Sequence, residues 1–593
     1  MTELMWEGKY RDGEKVEPVR IALPFQTVET VNLFPGCPDG LYNRLIWGDK
    51  KYVLPGLLPE FAGKVNLIYI DPPFDTGADF SFMTTLAQSH AGFSAEPGRV
   101  EQKAYRDSWG RGLDRYLQWL YETVVLLREL LSDNGSIFVH LDWRAGHYGK
   151  TILDEVFGQD KLRNEIIWCY TGPGSPGMQQ FNRKHDTIFW YSKSSQWVFN
   201  EKAIRIPHHE KTKANFKEGL VGSGFVAGSY ALDEQGKIPE DWWQFAIAGR
   251  YPVDGVNRVG YPTEKPALLL ERIIKTASNA GDLVLDCFCG SGTTAAVAER
   301  LGRRWITCDL GRFAIYTTRK RLLSIENARP FVAQNLGKYE RQAWQAAEFA
   351  DPAQHVSVQS RYRHFMLDLY HATPVDGYTW IHGVKDGRLV HVGSVDAPIA
   401  LDEVQSIINE FWRVRGKDVA LTGRFLGKGT DEGVDILGWD FAFDLNETAK
   451  QMAADATIRL AFKKIPREVL EKRAVEQDDI HFYELAALDV EVRQCKQCIE
   501  VELKNFFMPP DDVPQDVTNA ISHWSQWVDY WAVDWDYRDD TFHNQWRSYR
   551  TKKQPGMLLR ASHEYDVPGS YTIAIKVIDI LGNDTTRVVR VDM

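Results

Sequence analysis

The chain has 593 residues, 44% hydrophobic and 25% charged, which is ordinary for soluble globular protein and too long for one core. No apolar run reaches the length of a membrane span, no signal-peptide pattern opens the N-terminus, and seven scattered cysteines fit a reducing compartment. A cytoplasmic protein of several domains with no membrane partner is expected, and its net charge of −11 leaves nucleic-acid contact to local basic patches.

In chain order, the first forty residues read as a strand-poor lead-in. The apolar run Val65-Asn66-Leu67-Ile68-Tyr69-Ile70 then predicts a buried parallel strand. It runs into Asp71-Pro72-Pro73-Phe74. Two prolines cannot continue a strand ladder, so the chain must leave the sheet there, at the carboxyl end where open α/β sheets bind ligands. A carboxylate and a proline carbonyl are two hydrogen-bond acceptors, and an aromatic ring is a stacking surface. Together they suit a planar base carrying an amino group. Further on, Thr171 to Gly177 is a glycine- and proline-rich loop.

A second strand, Asp282 to Leu285, leads into Asp286-Cys287-Phe288-Cys289-Gly290-Ser291-Gly292-Thr293-Thr294. A helical pattern from Ala295 to Leu301 follows, then a strand, Trp305 to Cys308, that ends in Asp309. The glycines permit a tight turn and close approach of a ligand to backbone. Asp309 stands 17 residues after Gly292, where nucleotide-binding folds place the acid that holds a ribose. The third glycine of the dinucleotide fingerprint is missing, which argues against NAD and FAD. Cys287 and Cys289 read as packing residues.

The two motifs together resemble the site-specific amino-methyltransferases that act on DNA with S-adenosylmethionine. In that family D-P-P-[FY] binds the target amine and F-x-G-x-G binds the cofactor. Here these are Asp71 to Phe74, and Phe288, Gly290 and Gly292. The catalytic motif comes first, a permuted order that is similar to the beta class, including the modification subunits of Type III restriction systems. Leu45-Ile46-Trp47-Gly48-Asp49 resembles the family's segment near the cofactor adenine. Leu131 to Asp142, Lys184 to Tyr191, and Tyr261-Pro262-Thr263-Glu264-Lys265-Pro266 with the following Leu268 to Ile274 resemble later family segments. The resemblance spans residues 40 to 325. It implies a Rossmann-like α/β methyltransferase domain. It places Asp71, Pro72, Pro73 and Phe74 on the target base, with no metal. It places Asp49, Lys265, Asp286, Phe288, Gly290, Ser291, Gly292, Thr293, Thr294 and Asp309 at the cofactor.

Residues 1–330 are therefore expected to form the catalytic domain, with 197–259, which include Trp242 and Trp243, as a candidate target-recognition insert and residues 80–110 as a rival DNA contact. Basic clusters at Arg99 to Arg115, Lys202 to Lys217 and Arg303 to Arg321 are candidate DNA patches, the last of them structural by position. Residues 331–360 read as a helical connector. Residues 361–488 read as a small α/β domain, with a helix at Leu401 to Val414, strands at Asp418 to Leu421 and Asp435 to Leu437, and helix signals from Glu447 to Asp455. No nuclease or helicase signature stands out in it. Residues 489–593 read as a β-rich, sandwich-like domain, with strands at Thr572 to Asp579 and Thr586 to Val591. In that domain the cluster Trp524, Trp527, Tyr530, Trp531, Trp535 and Tyr537 reads as core, and Cys495-x-x-Cys498 as a strand-borne pair of thiols rather than zinc ligands.

The function expected from the resemblance is methylation of adenine N6 in duplex DNA after base flipping, with double-stranded DNA, a restriction subunit carrying nuclease and helicase, and a second copy of the chain as partners. Cytosine N4 is the alternative target. A protein glutamine amide is disfavoured because its related motif begins with Asn. A non-catalytic recognition or scaffold subunit is disfavoured because both motifs are intact.

Overall fold

A computed structural model describes residues 3–33, 42–73, 78–85, 99–107, 112–172, 179–218, 232–247, 261–349, 357–417, 433–442, 445, 458–470, 475, 480–509, 513, 518–519, 521–550 and 556–593. Phe74, Pro173 to Gly177, Asp418 to Leu421 and Glu447 to Asp455 lie outside them. Contacts divide the chain into two compact units: residues 1–24, 32–83 and 102–335, and residues 25–31, 84–101 and 336–593.

The first unit is built on one sheet. Its strands are β1 (Asn43–Trp47), β2 (Val65–Ile70), β3 (Leu131–Leu141), β4 (Leu162–Cys169), β5 (His185–Ser192), β6 (Trp242–Gln244), β7 (Leu283–Asp286), β8 (Arg304–Asp309) and β9 (Phe331–Asn335). Their spatial order is β6-β4-β5-β3-β2-β7-β8-β1-β9. From β3 to β9 every neighbour is parallel, while β5 runs antiparallel to both β3 and β4. The central strands are buried almost throughout because helices cover the sheet, which is why they read as continuous apolar runs.

The helices between them include, among the described residues, α1 (Lys50–Phe61), α2 (Leu113–Leu130), α3 (Gly146–Phe157), α4 (Ala267–Ala277), α5 (Thr293–Arg300) and α6 (Arg312–Leu323). Helix α2 shows the cause plainly. Tyr116, Leu117, Leu120, Tyr121, Val124 and Leu127 recur at three- and four-residue spacing and all are buried. The chain leaves β2 through α2 to β3 on one side and leaves β7 through α5 to β8 on the other. The crevice between β2 and β7 is thus the topological switch point, where such sheets bind ligands.

The lead-in is not wholly irregular. Lys9 is fully buried and pairs with Glu155 of α3 at 2.7 Å, with Glu3 at 2.8 Å completing the cluster. Phe331–Asn335, expected at the start of a helical connector, instead forms the parallel strand β9, with Phe331 to Gln334 buried. The helices that follow, Gly337–Phe349 and Val358–Leu369, belong to the second unit and are core elements there. Trp344, Phe349, Tyr362 and Met366 pack with Val390 and Val392 of a strand beneath them.

That strand, Arg388–Val392, lies parallel to Gly433–Gly438, which lies parallel to Arg459–Lys464. The helix Leu401–Lys417 packs through Val404, Ile407 and Phe411 on Leu389, Val434 and Ile436, which form a separate core cluster. Alternate residues of each strand face the two helix layers, an α/β/α arrangement. The last part of the chain holds two antiparallel sheets. One contains Ala487–Cys495, Cys498–Phe507 and Arg560–Glu564; the other contains Val528–Asp534, Trp546–Tyr549, Ser570–Asp579 and Asp584–Asp592. Ile499 and Val501 from one, and Val533, Ile573 and Ile575 from the other, share a single core. Trp527, Trp531 and Trp535 are buried in that core. Also in the second unit, the strand Gln26–Val31 pairs in parallel with Phe542–Asn544, more than five hundred positions away.

Candidate active site

The carboxyl ends of β2, β7, β8 and β1 carry Asp71, Asp286, Asp309 and Trp47-Gly48-Asp49. The sheet therefore gathers at one edge acids that lie far apart in sequence. Asp49 caps α1, its side chain accepting from the Lys51 N–H at 2.9 Å. Gly48 donates to the Asp309 carbonyl at 3.0 Å, which ties the ends of β1 and β8 together.

The glycine loop is held from within. Gly290 and Gly292 have φ of +47° and +72°, conformations that side chains resist. A Cβ on Gly292 would stand 2.6 Å from Thr318 of α6. Thr318 in turn donates to the Gly290 carbonyl at 3.1 Å. Asp286 accepts from Thr294 at 2.6 Å and from the Phe288 N–H at 3.0 Å. Asp309 accepts from the N–H groups of Gly290 at 2.9 Å and Gly311 at 2.8 Å. Burial pushes the Asp286 carboxyl up to about 7 and the Asp309 carboxyl up to about 6, against the hydrogen bonds that favour their charged forms. Ser291 and Thr293 pair at 3.0 Å, and Arg321 binds Thr293 at 2.7 Å and the Ser291 carbonyl at 2.8 Å while pairing with Glu264. Arg321, from the third basic cluster, therefore has a structural role in this loop. Burial also raises the thiols of Cys287, Cys289 and Cys308 well above the usual range, in keeping with packing rather than nucleophilic roles.

Asp71 is built differently. Its Oδ2 is ion-paired to Lys265, the residue expected beside the cofactor, which arrives from the loop before α4. Its Oδ1 is buried and has no hydrogen-bond partner among the described residues. Such an oxygen is costly unless a ligand supplies a donor. Behind it stands His140 of β3, fully buried, with Nδ1 3.9 Å from that oxygen.

Several residues at this edge carry no expectation from sequence. Trp119 of α2 packs on Phe288 at 5.3 Å between ring centroids, and the buried Lys50 ammonium lies 4.4 Å over the Trp119 ring. Desolvation lowers the Lys50 ammonium's pKa. Trp119 is one more residue of an amphipathic helix in the sequence; only the sheet order shows that its turn faces the glycine loop. No group of His, Cys, Asp and Glu arranged to hold a metal occurs among the described residues. In the candidate insert, Trp243 of β6 is buried and Trp242 is exposed.

A family model described as DNA methylase matches residues 65–320. The Type II methyltransferase M1.MboII of Moraxella bovis is 34% identical over 202 residues, covering 33% of this chain and 75% of that protein. The Type II methyltransferase M.EcaI of Enterobacter cloacae is 28% identical over 335 residues, 47% of this chain and 69% of that protein. The StyLTI Mod subunit, a Type III restriction-modification enzyme of Salmonella typhimurium, is 25% identical over 349 residues, covering 45% and 52%. Among solved structures, the M1.HpyAVI-SAM complex is 20% identical and covers 48% of this chain and 100% of that one, with a TM-score of 0.29.

Proposed function

The chain belongs to the N6/N4 DNA methylase family, which is S-adenosylmethionine-dependent, and on that premise we propose that it methylates adenine N6 in duplex DNA as the modification component of a restriction-modification system. The observation that carries the reading is the buried, unpartnered Oδ1 of Asp71 beside Pro72, at the switch point of the sheet. The amine of a base has two N–H groups. The Asp71 carboxylate and the Pro72 carbonyl are the acceptors for them, and Phe74 is the ring on which the base stacks. Lys265 holds Oδ2 and leaves Oδ1 for the base.

An amine inside a duplex cannot reach such an oxygen, so the target is flipped out of the stack. The exocyclic amine is a weak nucleophile because its lone pair is delocalised into the ring. Holding both N–H groups fixes the nitrogen in line for attack, and positioning of this kind supplies much of the barrier lowering. No metal is called for.

The glycine loop suits the cofactor: its two left-handed glycines keep side chains clear, and buried acids end the adjoining strands. Asp49, Asp286, Phe288, Gly290, Ser291, Gly292, Thr293, Thr294 and Asp309 are the residues proposed to hold it. When bound, S-adenosylmethionine supplies a methyl group on a sulfonium, and Phe288, backed by Trp119, gives that cation an aromatic face.

The Type III relative supports a restriction subunit as a partner in the proposal, and a second copy of this chain is proposed from the family resemblance alone. Residues 197–259 are the proposed target-recognition segment. The assignment to adenine rests on Asp at the first motif position. It is tested by incubating the purified chain with S-adenosylmethionine and DNA from a methylation-deficient host, then digesting to nucleosides for mass spectrometry. N6-methyladenine is the expected product. N4-methylcytosine would move the target to the alternative, and no modified nucleoside would refute the reading.

A further inference from the structure

Resting on that reading of Asp71, we propose that His140 and Asp186 form a proton relay behind the target-base site, so that His140 acts through Asp71 as a positioning residue. The chain of contacts is continuous. Tyr69 Oη lies 2.9 Å from His140 Nδ1, His140 Nε2 lies 3.3 Å from Asp186 Oδ2, and the Tyr170 hydroxyl donates to Asp186 Oδ1 at 3.2 Å. His140 Nδ1 also lies 3.9 Å from the open oxygen of Asp71. Trp168 closes the other side edge-on, 5.5 Å from the imidazole.

Sheet geometry explains why these residues meet. β3 and β5 are antiparallel neighbours with His140 opposite Ile188 and Leu141 opposite Thr187, so Asp186 falls beside the end of β3. β2 and β3 are parallel, which brings Tyr69 and Asp71 alongside. A structural histidine in a strand needs one or two partners. This one has a carboxylate on one nitrogen and a phenol on the other, with a second carboxylate in reach.

The chemistry gives the relay a task. As the amine nitrogen forms its bond to the methyl carbon, the carbon–sulfur bond breaks and its electron pair returns to sulfur. The amine is left cationic and carries one proton too many. Until that proton leaves, the methylated nitrogen is a good leaving group and the methyl can return. Asp71 Oδ1 takes the proton first. His140 then takes it at Nδ1, with the Tyr69 hydroxyl turning away from that nitrogen, and becomes an imidazolium whose Nε2–H faces the Asp186 carboxylate. Asp186, partly exposed, passes it to solvent, and Asp71 is again an acceptor. The ionised Asp186 is available for this: burial pushes its carboxyl up, but the hydrogen bonds of His140 and Tyr170 and the attraction of His140 and Lys265 together leave it below the usual aspartate value.

The groups facing His140 are Tyr69 and Asp71 from the β2 end, Asp142 beyond its own strand, Asp186 from β5, Tyr170 after β4, and Lys265 and Asp286 across Asp71.

The test is single-turnover methyl transfer to duplex DNA, with S-adenosylmethionine, as a function of pH for the wild-type chain, His140→Gln and Asp186→Asn. The wild-type rate is expected to rise with pH through a limb that reports the neutral imidazole. His140→Gln is expected to keep the wild-type cofactor affinity and KM for DNA, to lose rate by about tenfold or more, and to lose the limb. Asp186→Asn removes the carboxylate that stabilises the imidazolium, so its limb is expected to move to lower pH with a reduced rate. A merely structural role would lower the rate at every pH and leave the limb in place. A limb that is absent from the wild type, or unmoved in both variants, overturns the relay. If one variant does not fold, the other still decides. A wild-type chain that binds cofactor and methylates no DNA overturns the functional reading and the relay with it; a wild-type chain that methylates while its variants keep the limb overturns the relay alone.

Discussion

The two strand ends that face each other across the switch point are furnished in opposite ways. At the β7–β8 end, Asp286 and Asp309 spend their oxygens on backbone N–H groups and a threonine of the same loop. At the β2 end, Asp71 touches no backbone donor that the structure records; one oxygen meets a lysine from a distant loop and the other has no hydrogen-bond partner among the described residues. The first arrangement shapes a loop. The second keeps an acceptor available. A site that must both cradle one ligand and grip another thus divides its acids into scaffolding and working groups, and their hydrogen bonds tell them apart.

That contrast is open to direct attack. The largest effect is expected from Asp71→Ala: methyl transfer falls by about a thousandfold or more, while cofactor titration by calorimetry and the melting temperature stay close to wild type. Full activity in that variant would remove Asp71 from the chemistry. Next is Gly292→Ala, which places a Cβ against Thr318 in a backbone conformation that alanine resists. It is expected to lower stability by about 2 kcal/mol in chemical denaturation and to weaken cofactor binding together with it. Unchanged stability would mean that the loop tolerates a side chain there.

Asp309→Ala is expected to weaken cofactor binding by about 1–3 kcal/mol, the scale of hydrogen bonds to a charged group, without a specific loss of turnover at saturating cofactor. Unchanged affinity would take it out of the cofactor site. The smallest effect is one of pH. Burial raises the Asp309 carboxyl from its usual 3.8 to about 6, so in the free protein this group costs stability progressively as pH rises from 3.8 to about 6 and no further above it. A cofactor hydroxyl donates to the charged form, so affinity is expected to improve as pH rises through about 6 and to weaken on acidification. Calorimetric titrations on either side of that pH check it, and Asp309→Asn should flatten the dependence.

Much of the first unit was legible because its signals are local. Pro72 and Pro73 stop β2 whatever surrounds them, and Gly290 and Gly292 mark a turn no other residue enters easily. The strands on either side of the glycine loop lie where apolar patterning puts them. What escaped depends on partners distant in sequence. Phe331–Asn335 contains Gln334 and Asn335 and precedes a helix, so its polarity suggested a connector; β1 alongside makes it a strand. Trp344 and Phe349, within the stretch read as a connector, suit the face of a linker helix or of a core helix equally well, and only the strand beneath them decides. The same holds within the site. Lys265 is recognisable as part of a motif, but nothing in Glu264-Lys265-Pro266 says that its ammonium reaches Asp71, 194 positions away. His140 and Asp186 lie on different strands, and only the antiparallel register of β3 with β5 pairs them.

The most direct test of the central claim is single-molecule sequencing of genomic DNA from a methylation-deficient host that expresses either the wild-type chain or Asp71→Ala. The account predicts N6-methyladenine confined to one sequence context with the wild type and none with the variant. DNA left unmodified by a wild-type chain shown to bind S-adenosylmethionine, or the same modification from both chains, would contradict it.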